Sequence, residues 1–229
     1  MRLLNVKKLC LSAVGVFVLA GVAQAREVTD LTGTVVNVPD HPKRVVLGEG
    51  RFVFPMALLD RANPVERVVG WQGELARQDP FSWKMLTSTF PQVKNVPFIG
   101  TTTESSVSPE KIMALKPDLA IFSETGHGPG KDNPMIPVLR AAGVPVVFVD
   151  FRQQPMQHTV ESIRIMGEAL GREKEANEYI KFYQEHLNKV KALVAQIPEN
   201  KRPKVFIEML AGVYPTCCHS TGNGNFGSM

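Results

Sequence analysis

The chain has little cysteine, few spaced histidines and almost no surplus charge. Three cysteines occur in 229 residues, and two of them, Cys217 and Cys218, are adjacent. That excludes the disulfide framework that staples many small exported domains, and sequence neighbours make a strained pair. Cys217 and Cys218 read as free or mispaired thiols, with partners further along a longer chain as the alternative. The net charge is +4, but Arg2, Lys7 and Lys8 supply three positive charges near the start, and without them it is +1. A charge so near neutral gives no electrostatic case for nucleic acid or an anionic membrane surface. The five histidines, His41, His127, His158, His186 and His219, are scattered, and no two have metal-ligand spacing. No G-x-S-x-G, P-loop or H-E-x-x-H occurs, and Gly126-His127-Gly128 alone is not a catalytic motif. This reading assigns no catalytic residue and no protein-held metal.

What is present begins with an export signal. The basic residues precede an apolar run from Leu9 to Val22, and Ala23-Gln24-Ala25 forms an A-x-A cleavage site ahead of Arg26. The run is shorter than the roughly 20 residues a membrane span needs. Cys10 lies at its start and lacks the small residues that precede a lipidated cysteine. Residues 1–25 therefore read as a cleaved signal peptide, and the protein as soluble and exported rather than as a lipoprotein.

Beyond the leader, strands and helices alternate. Val28 to Val38 alternates loosely around Gly33 and predicts an opening hairpin. Val45-Val46-Leu47, running into Gly48-Glu49-Gly50-Arg51, suits a strand buried on both faces that opens into a glycine loop. Phe54 to Ala62 predicts a short helix, and Val65 to Gly70 a second strand ending at Trp71. Ser108 is a good N-cap and Pro109 fits the first helical position, so a helix runs to Leu115 and a strand follows over Asp118–Phe122. Asn133-Pro134 repeats the device before helix Met135–Ala142, Gly143 ends it, and Val144–Val149 is the next strand. This alternation implies a parallel sheet of right-handed crossover units.

After Pro155 the period becomes helical. Val160, Ile163, Met166, Ala169 and Leu170 mark one helix closed by Gly171. Glu173–Ile197 is a long amphipathic helix of about 37 Å, with Glu185 and Lys189 as a supportive i,i+4 pair. Lys201-Arg202-Pro203-Lys204-Val205-Phe206-Ile207-Glu208 then repeats the form of Pro42-Lys43-Arg44-Val45-Val46-Leu47 and reads as the first strand of a second lobe. Residues 202–229 are too few for a lobe the size of the first. The division is a signal peptide (1–25), an N-terminal α/β lobe (26–155), connecting helices (156–199) and the start of a truncated C-terminal lobe (200–229).

These residues resemble the periplasmic substrate-binding proteins of iron–siderophore, haem and cobalamin ABC importers. The likeness rests on D-x-x-G-x-x-V-x-V-P (Asp30 to Pro39), P-K-R-V-V, and the run from Gly100-Thr101 through S-P-E-K-I-M-A-L-K-P-D-L-A-I. L-R-A-A-G-V-P-V-V-F-V-D, the long helix and V-F-I-E complete it. The resemblance implies an α/β fold of two Rossmann-like lobes with parallel sheets, bridged by a long helix and holding ligand between them, with the second lobe incomplete. It also implies a periplasmic monomer that binds a ferric siderophore and delivers it to an ABC permease. Haem or a corrinoid is the alternative within the class, and a chelate-modifying enzyme on a similar scaffold the alternative outside it. No cofactor is expected, since the iron would travel inside the chelate.

Open parallel sheets gather ligand loops at the carboxyl ends of their strands, which selects the candidates. Arg51 offers a guanidinium to an oxygen-rich, anionic chelate; a solvated arginine or a local pair with Glu49 is the bland explanation. Trp71 offers a flat apolar contact with a polar edge, or else caps the sheet; Trp83 is a weaker choice. Thr102 lies among Thr101–Thr103, where hydroxamate binders of the family carry an arginine, so its hydroxyl is a hydrogen-bonding candidate and hydroxamate recognition is disfavoured. Glu124 and His127 sit in the glycine-rich loop 123–130, Arg152 follows the strand ending at Val149, and Glu208 and Tyr214 would face them from the second lobe. Glu110 is favoured at a helix start by the helix dipole. The resemblance gives it a sharper role, pairing with arginines of the permease.

Overall fold

A computed structural model describes residues 25–126 and 128–206. Of the signal peptide read over residues 1–25, all but Ala25 lies outside the described residues, as do His127, Glu208, Tyr214, Cys217 and Cys218.

Strands β1 (Ala25–Thr29) and β2 (Val35–Pro39) form the expected antiparallel hairpin. Its D-x-x-G motif has a mechanical purpose. Gly33 takes φ +81°, a conformation that costs a glycine little. The Asp30 carboxylate accepts the N–H groups of Thr32 (2.9 Å) and Thr34 (3.1 Å) on one oxygen and that of Phe148 (3.2 Å) on the other. One side chain thus closes the turn and fastens the hairpin to the edge of the main sheet.

That sheet has five parallel strands, β3 (Val45–Leu47), β4 (Val68–Gln72), β5 (Phe98–Gly100), β6 (Leu119–Ser123) and β7 (Val146–Val149), in the order β5-β4-β3-β6-β7. The fold is α/β, as the alternation predicts. Side chains alternate between two cores: Val45, Leu47, Leu119, Ile121, Val147 and Val149 face one, and Val46, Ala120, Phe122, Val146 and Phe148 the other. The first core is covered by α1 (Val53–Leu59) and α6 (Pro155–Leu170), the second by α4 (Pro109–Ala114) and α5 (Met135–Ala141). Burial on both faces accounts for the continuous apolar runs, and each fully buried aliphatic side chain contributes about 1.5–3 kcal/mol.

Two motifs meet at the base of β3 and β6. The Asp118 carboxylate accepts the N–H groups of Lys43 and Arg44, both at 2.8 Å. The Arg44 guanidinium in return donates to the carbonyls of Leu115 (2.6 Å) and Lys116 (3.0 Å) that α4 leaves unpaired at its end. P-K-R and K-P-D are therefore two halves of one clasp.

The structure corrects several boundaries. β4 spans Val68–Gln72 rather than Val65–Gly70, because Asn63 and Val65 form a turn whose carbonyls and side chain hold Val65, Glu66 and Val68. Trp71 is consequently inside the strand. Helix α1 covers Val53–Leu59. Between Trp71 and Gly100 the sequence pattern named no element, yet α2 (Glu74–Gln78), α3 (Pro80–Thr89) and β5 occur there.

Helix α6 ends at Gly171 (φ +64°) and turns into α7 (Glu173–Ala195), about 35 Å long. Gly167 permits the turn: a Cβ there would lie 2.5 Å from that of Ala176. Of α7, Ala176 is buried and Tyr179 and Ile180 pack on the first core, while Phe182, Val190, Leu193 and Val194 are exposed. Glu185 pairs back to Lys181 (4.0 Å) rather than forward to Lys189 among the described residues. Of the run Lys201–Glu208 expected to open the second lobe, the described residues 201–206 form no strand, and Lys201 ends a 3₁₀ turn, Glu199–Lys201.

Candidate functional site

The strand order reverses at β3 and β6: the chain steps outward from β3 to β5, then returns to lay β6 on the other side of β3. Loops leaving two such strands diverge and open a crevice at their carboxyl ends. Here they are the loop after β3, residues 48–52, and the loop after β6, residues 124–134. Both pack closely. A Cβ on Gly128 would lie 2.3 Å from the Gly48 carbonyl oxygen, and one on Gly126 would lie 2.5 Å from Glu49 Oε1. Glycine at 126 and 128 is what lets the two loops touch.

A cavity of about 460 Å³ opens over this point, lined on its polar side by Glu49, Arg51, Ser123 and Arg152. The Ser123 hydroxyl donates to Glu49 Oε1 and ties the two strand ends together. Glu49 is 5 % exposed. The opposite wall is apolar, built from Phe52, Phe54, Pro55 and Leu58 around α1, Phe151, Ile163 of α6 and Tyr179 of α7. Phe52 and Phe151 meet edge to face, 5.9 Å between centroids.

Arg152 is held by the loop after β7. Asp150, 2 % exposed, accepts the N–H groups of Arg152 and Gln153 (both 2.8 Å) on Oδ1 and that of Gln154 (2.9 Å) on Oδ2, and His158 Nδ1 lies 2.8 Å from Oδ2. Burial alone would raise its pKa. The three N–H donors and the imidazole outweigh burial and hold the carboxyl below the ordinary aspartate range. The Ser162 hydroxyl closes the hub by donating to the Asp150 carbonyl and accepting its N–H, each at 2.9 Å. Sequence reasoning passed over Asp150 because it reads as the polar end of a buried strand. The signal available was its place just before Pro155, at the start of a long helix.

Of the predicted residues, Arg51 and Arg152 converge on this cavity. Glu124 faces a neighbouring polar hollow of about 460 Å³ with Glu104, Ser105 and Asn133, and its Oε1 accepts from Lys131 Nζ at 2.7 Å. In that hollow Glu104, from the segment after β5, ties that segment to the loop after β6, its Oε1 accepting from Gly130 N (3.1 Å) and Asn133 Nδ2 (2.6 Å). Thr102 is half-buried and lines neither space. Trp71 is 1 % exposed. It points into the core beside Trp83 (6.1 Å), which in turn meets Phe98 (6.2 Å), so both tryptophans pack the sheet instead of facing the cavity. Glu110 is exposed on the first turn of α4, away from both spaces. The Ser108 hydroxyl donates to it (2.7 Å) and, with its own backbone N–H, holds its carboxyl below the ordinary range. Among the described residues no cluster of three or more His, Cys, Asp or Glu side chains could hold a metal ion.

Residues 62–221 match the family model described as periplasmic binding protein. Among curated proteins, the chain is 32 % identical over 122 residues to the uncharacterized ABC transporter substrate-binding lipoprotein YvrC of Bacillus subtilis, a match covering 53 % of this chain and 37 % of that one. It is 29 % identical over 160 residues to the putative ABC transporter substrate-binding lipoprotein YhfQ of the same organism, covering 69 % and 44 %. The chain thus spans less than half the length of these relatives. Among solved structures it resembles the TroA-like periplasmic binding protein FepB from Veillonella parvula, with TM-score 0.68, 26 % identity, and coverage of 78 % of this chain and 51 % of that one. The molybdate periplasmic binding protein MolA of Haemophilus influenzae shares the fold at 18 % identity, with TM-score 0.59 and coverage of 77 % and 56 %. A family match over most of the sequence, on a sheet whose reversal point opens into a lined cavity, leaves one classification: the chain belongs to the periplasmic binding protein family.

Proposed function

We propose that the protein is an exported, periplasmic receptor that captures an iron chelate, a ferric siderophore, and presents it to an ABC permease in the inner membrane. The observation that carries this reading is the cavity at the reversal of strand order. Two guanidinium groups, on Arg51 and Arg152, share it with a wall of Phe52, Phe54 and Phe151. Such a lining suits a ligand that is anionic on one side and flat and apolar on the other. Arginine pairs with oxygen-rich anions through a rigid fork of donors, and the aromatic wall contributes area without requiring charge. The relatives' names, as substrate-binding components of ABC transporters, support the delivery step, and Glu110 is the proposed contact with permease arginines. No bond is made or broken in this scheme, and the iron stays inside the ligand.

Titration separates this reading from its rivals. A ferric tris-catecholate, a ferric trihydroxamate, haem and cobalamin are each added to the protein while tryptophan emission is followed, and the chelates are recovered and analysed. Saturable quenching by the anionic tris-catecholate, with the chelate recovered intact, is the expected result. Preference for haem moves the assignment within the class, and chemical change in the chelate overturns the receptor reading in favour of an enzyme.

A further inference from the structure

Arg51 is gripped at both ends by one short helix that sequence reasoning did not find. At its backbone, the Arg51 N–H donates to Glu74 Oε1 at 2.9 Å. At its tip, Nη2 donates to Gln78 Oε1 at 2.9 Å. Glu74 and Gln78 are the first and last residues of α2, one helical turn apart and so on the same face. The helix is itself fixed: Leu75 is buried in the first core, and the Leu75 carbonyl accepts the Asp79 N–H (3.0 Å). Glu74 is 0 % exposed, an unusual place for a carboxylate that is not needed there. Gly50 is the third part of the device. A Cβ on it would lie 2.7 Å from the Gln72 carbonyl oxygen at the end of β4 and 3.2 Å from Leu75 Cβ of α2, so glycine lets the turn carrying Arg51 sit this close to the start of α2.

We propose that α2 is a positioning clamp for Arg51, with Glu74 setting the backbone of the loop and Gln78 setting the direction of the guanidinium, so that the cation is presented to the ligand already oriented. The proposal rests on the cleft reading above. Its physical content is pre-organisation. An unrestrained arginine side chain loses rotamer freedom when it binds, and a side chain already held in place loses less. Gln78 does not line the cavity itself, and its side chain accepts from the Arg51 guanidinium, so the clamp predicts that its effect on binding passes through Arg51.

Two readouts on the full chain test this. The first is ligand-free: side-chain ¹⁵N relaxation of the Arg51 Nε–H group in the parent protein and in Gln78→Ala. The group should be ordered in the parent and mobile in the variant; equal mobility in the two overturns the clamp. The second is a double-mutant cycle on affinity for a ferric tris-catecholate. Gln78→Ala should weaken binding about three- to tenfold when Arg51 is present and leave it unchanged in an Arg51→Ala background. An equal loss in both backgrounds means that Gln78 acts on the fold and overturns the clamp. Arg51→Ala binding as well as the parent overturns the cleft reading itself, a failure distinct from that of the clamp because the relaxation result stands apart from any ligand.

Discussion

Replacing Asp150 with asparagine removes one acceptor from a buried hub and leaves the shape nearly unchanged. The carboxylate receives four groups, two on each oxygen. In Asp150→Asn the amide carbonyl can keep the Arg152 and Gln153 N–H groups, but the amide NH2 then faces the Gln154 N–H and the His158 ring. Two hydrogen bonds to a charged acceptor, worth about 1.5–3 kcal/mol each, are lost; a neutral His158 whose Nδ1 accepts from the amide, and local relaxation of the loop, offset part of this. The net destabilisation is about 2–4 kcal/mol. For a chain of this size, that lowers Tm by about 5–15 °C. The loss depends on pH. The folded pKa of Asp150 lies below its ordinary value of 3.8, so its stabilising contribution is fully present above that value and is lost as pH falls through the lower folded pKa. Urea unfolding followed by far-UV circular dichroism at about pH 7 and about pH 3 measures both. A gap between parent and variant below about 0.5 kcal/mol at neutral pH would refute the reasoning, as would a gap that fails to narrow in acid.

Three further outcomes follow from the same geometry. Gly128→Ala forces a Cβ to within 2.3 Å of the Gly48 carbonyl oxygen; it should cost about 1–3 kcal/mol by thermal unfolding and weaken ligand binding through displacement of the Glu49–Arg51 loop. Burial raises the pKa of Glu74, with Glu49 adding repulsion, against hydrogen bonds from the backbone of Gly50, Arg51 and Glu74 itself. Its contribution to stability is present below its ordinary value of 4.5 and is lost as pH rises through the raised folded pKa. Glu74→Gln, which keeps an acceptor for Arg51, should therefore gain on the parent as pH rises above that value, whereas a gap independent of pH would show that Glu74 is not buried as a carboxylate. Glu110→Arg should leave chelate affinity intact and abolish permease-dependent uptake in cells, and unchanged uptake removes the docking role.

The parallel lobe was legible in the sequence because its punctuation is strong. Ser108-Pro109 and Lys116-Pro117-Asp118 mark a helix start and a strand start without ambiguity, and four consecutive apolar residues from Leu119 to Phe122 suit burial on both faces. The segment between Trp71 and Gly100 was not legible. β5 has three residues, too few for a period to show, and α2 occupies a single turn whose Glu74 is buried where a polar residue suggests exposure. Trp71 misled for a related reason. A tryptophan after a glycine at a strand end looks accessible, yet the strand runs on to Gln72 and turns the indole inward. The carboxyl-end rule, which depends only on topology, singled out Arg51 and Arg152, and both line the cavity at the strand ends. Gln78 and Asp150 touch them through hydrogen bonds; the first has no mark in the sequence, and the second only its place a few residues ahead of Pro155.

The proposed role of Arg51 and Arg152 is to bind an anionic chelate between them. Calorimetric titration of a ferric tris-catecholate into the parent protein and into Arg51→Ala/Arg152→Ala tests it most directly, because both side chains line the cavity and neither anchors the fold's core. The parent should bind one-to-one and the double variant at least tenfold more weakly, as expected for removal of charged hydrogen bonds worth about 1.5–3 kcal/mol each. Equal affinity in the two proteins would contradict it.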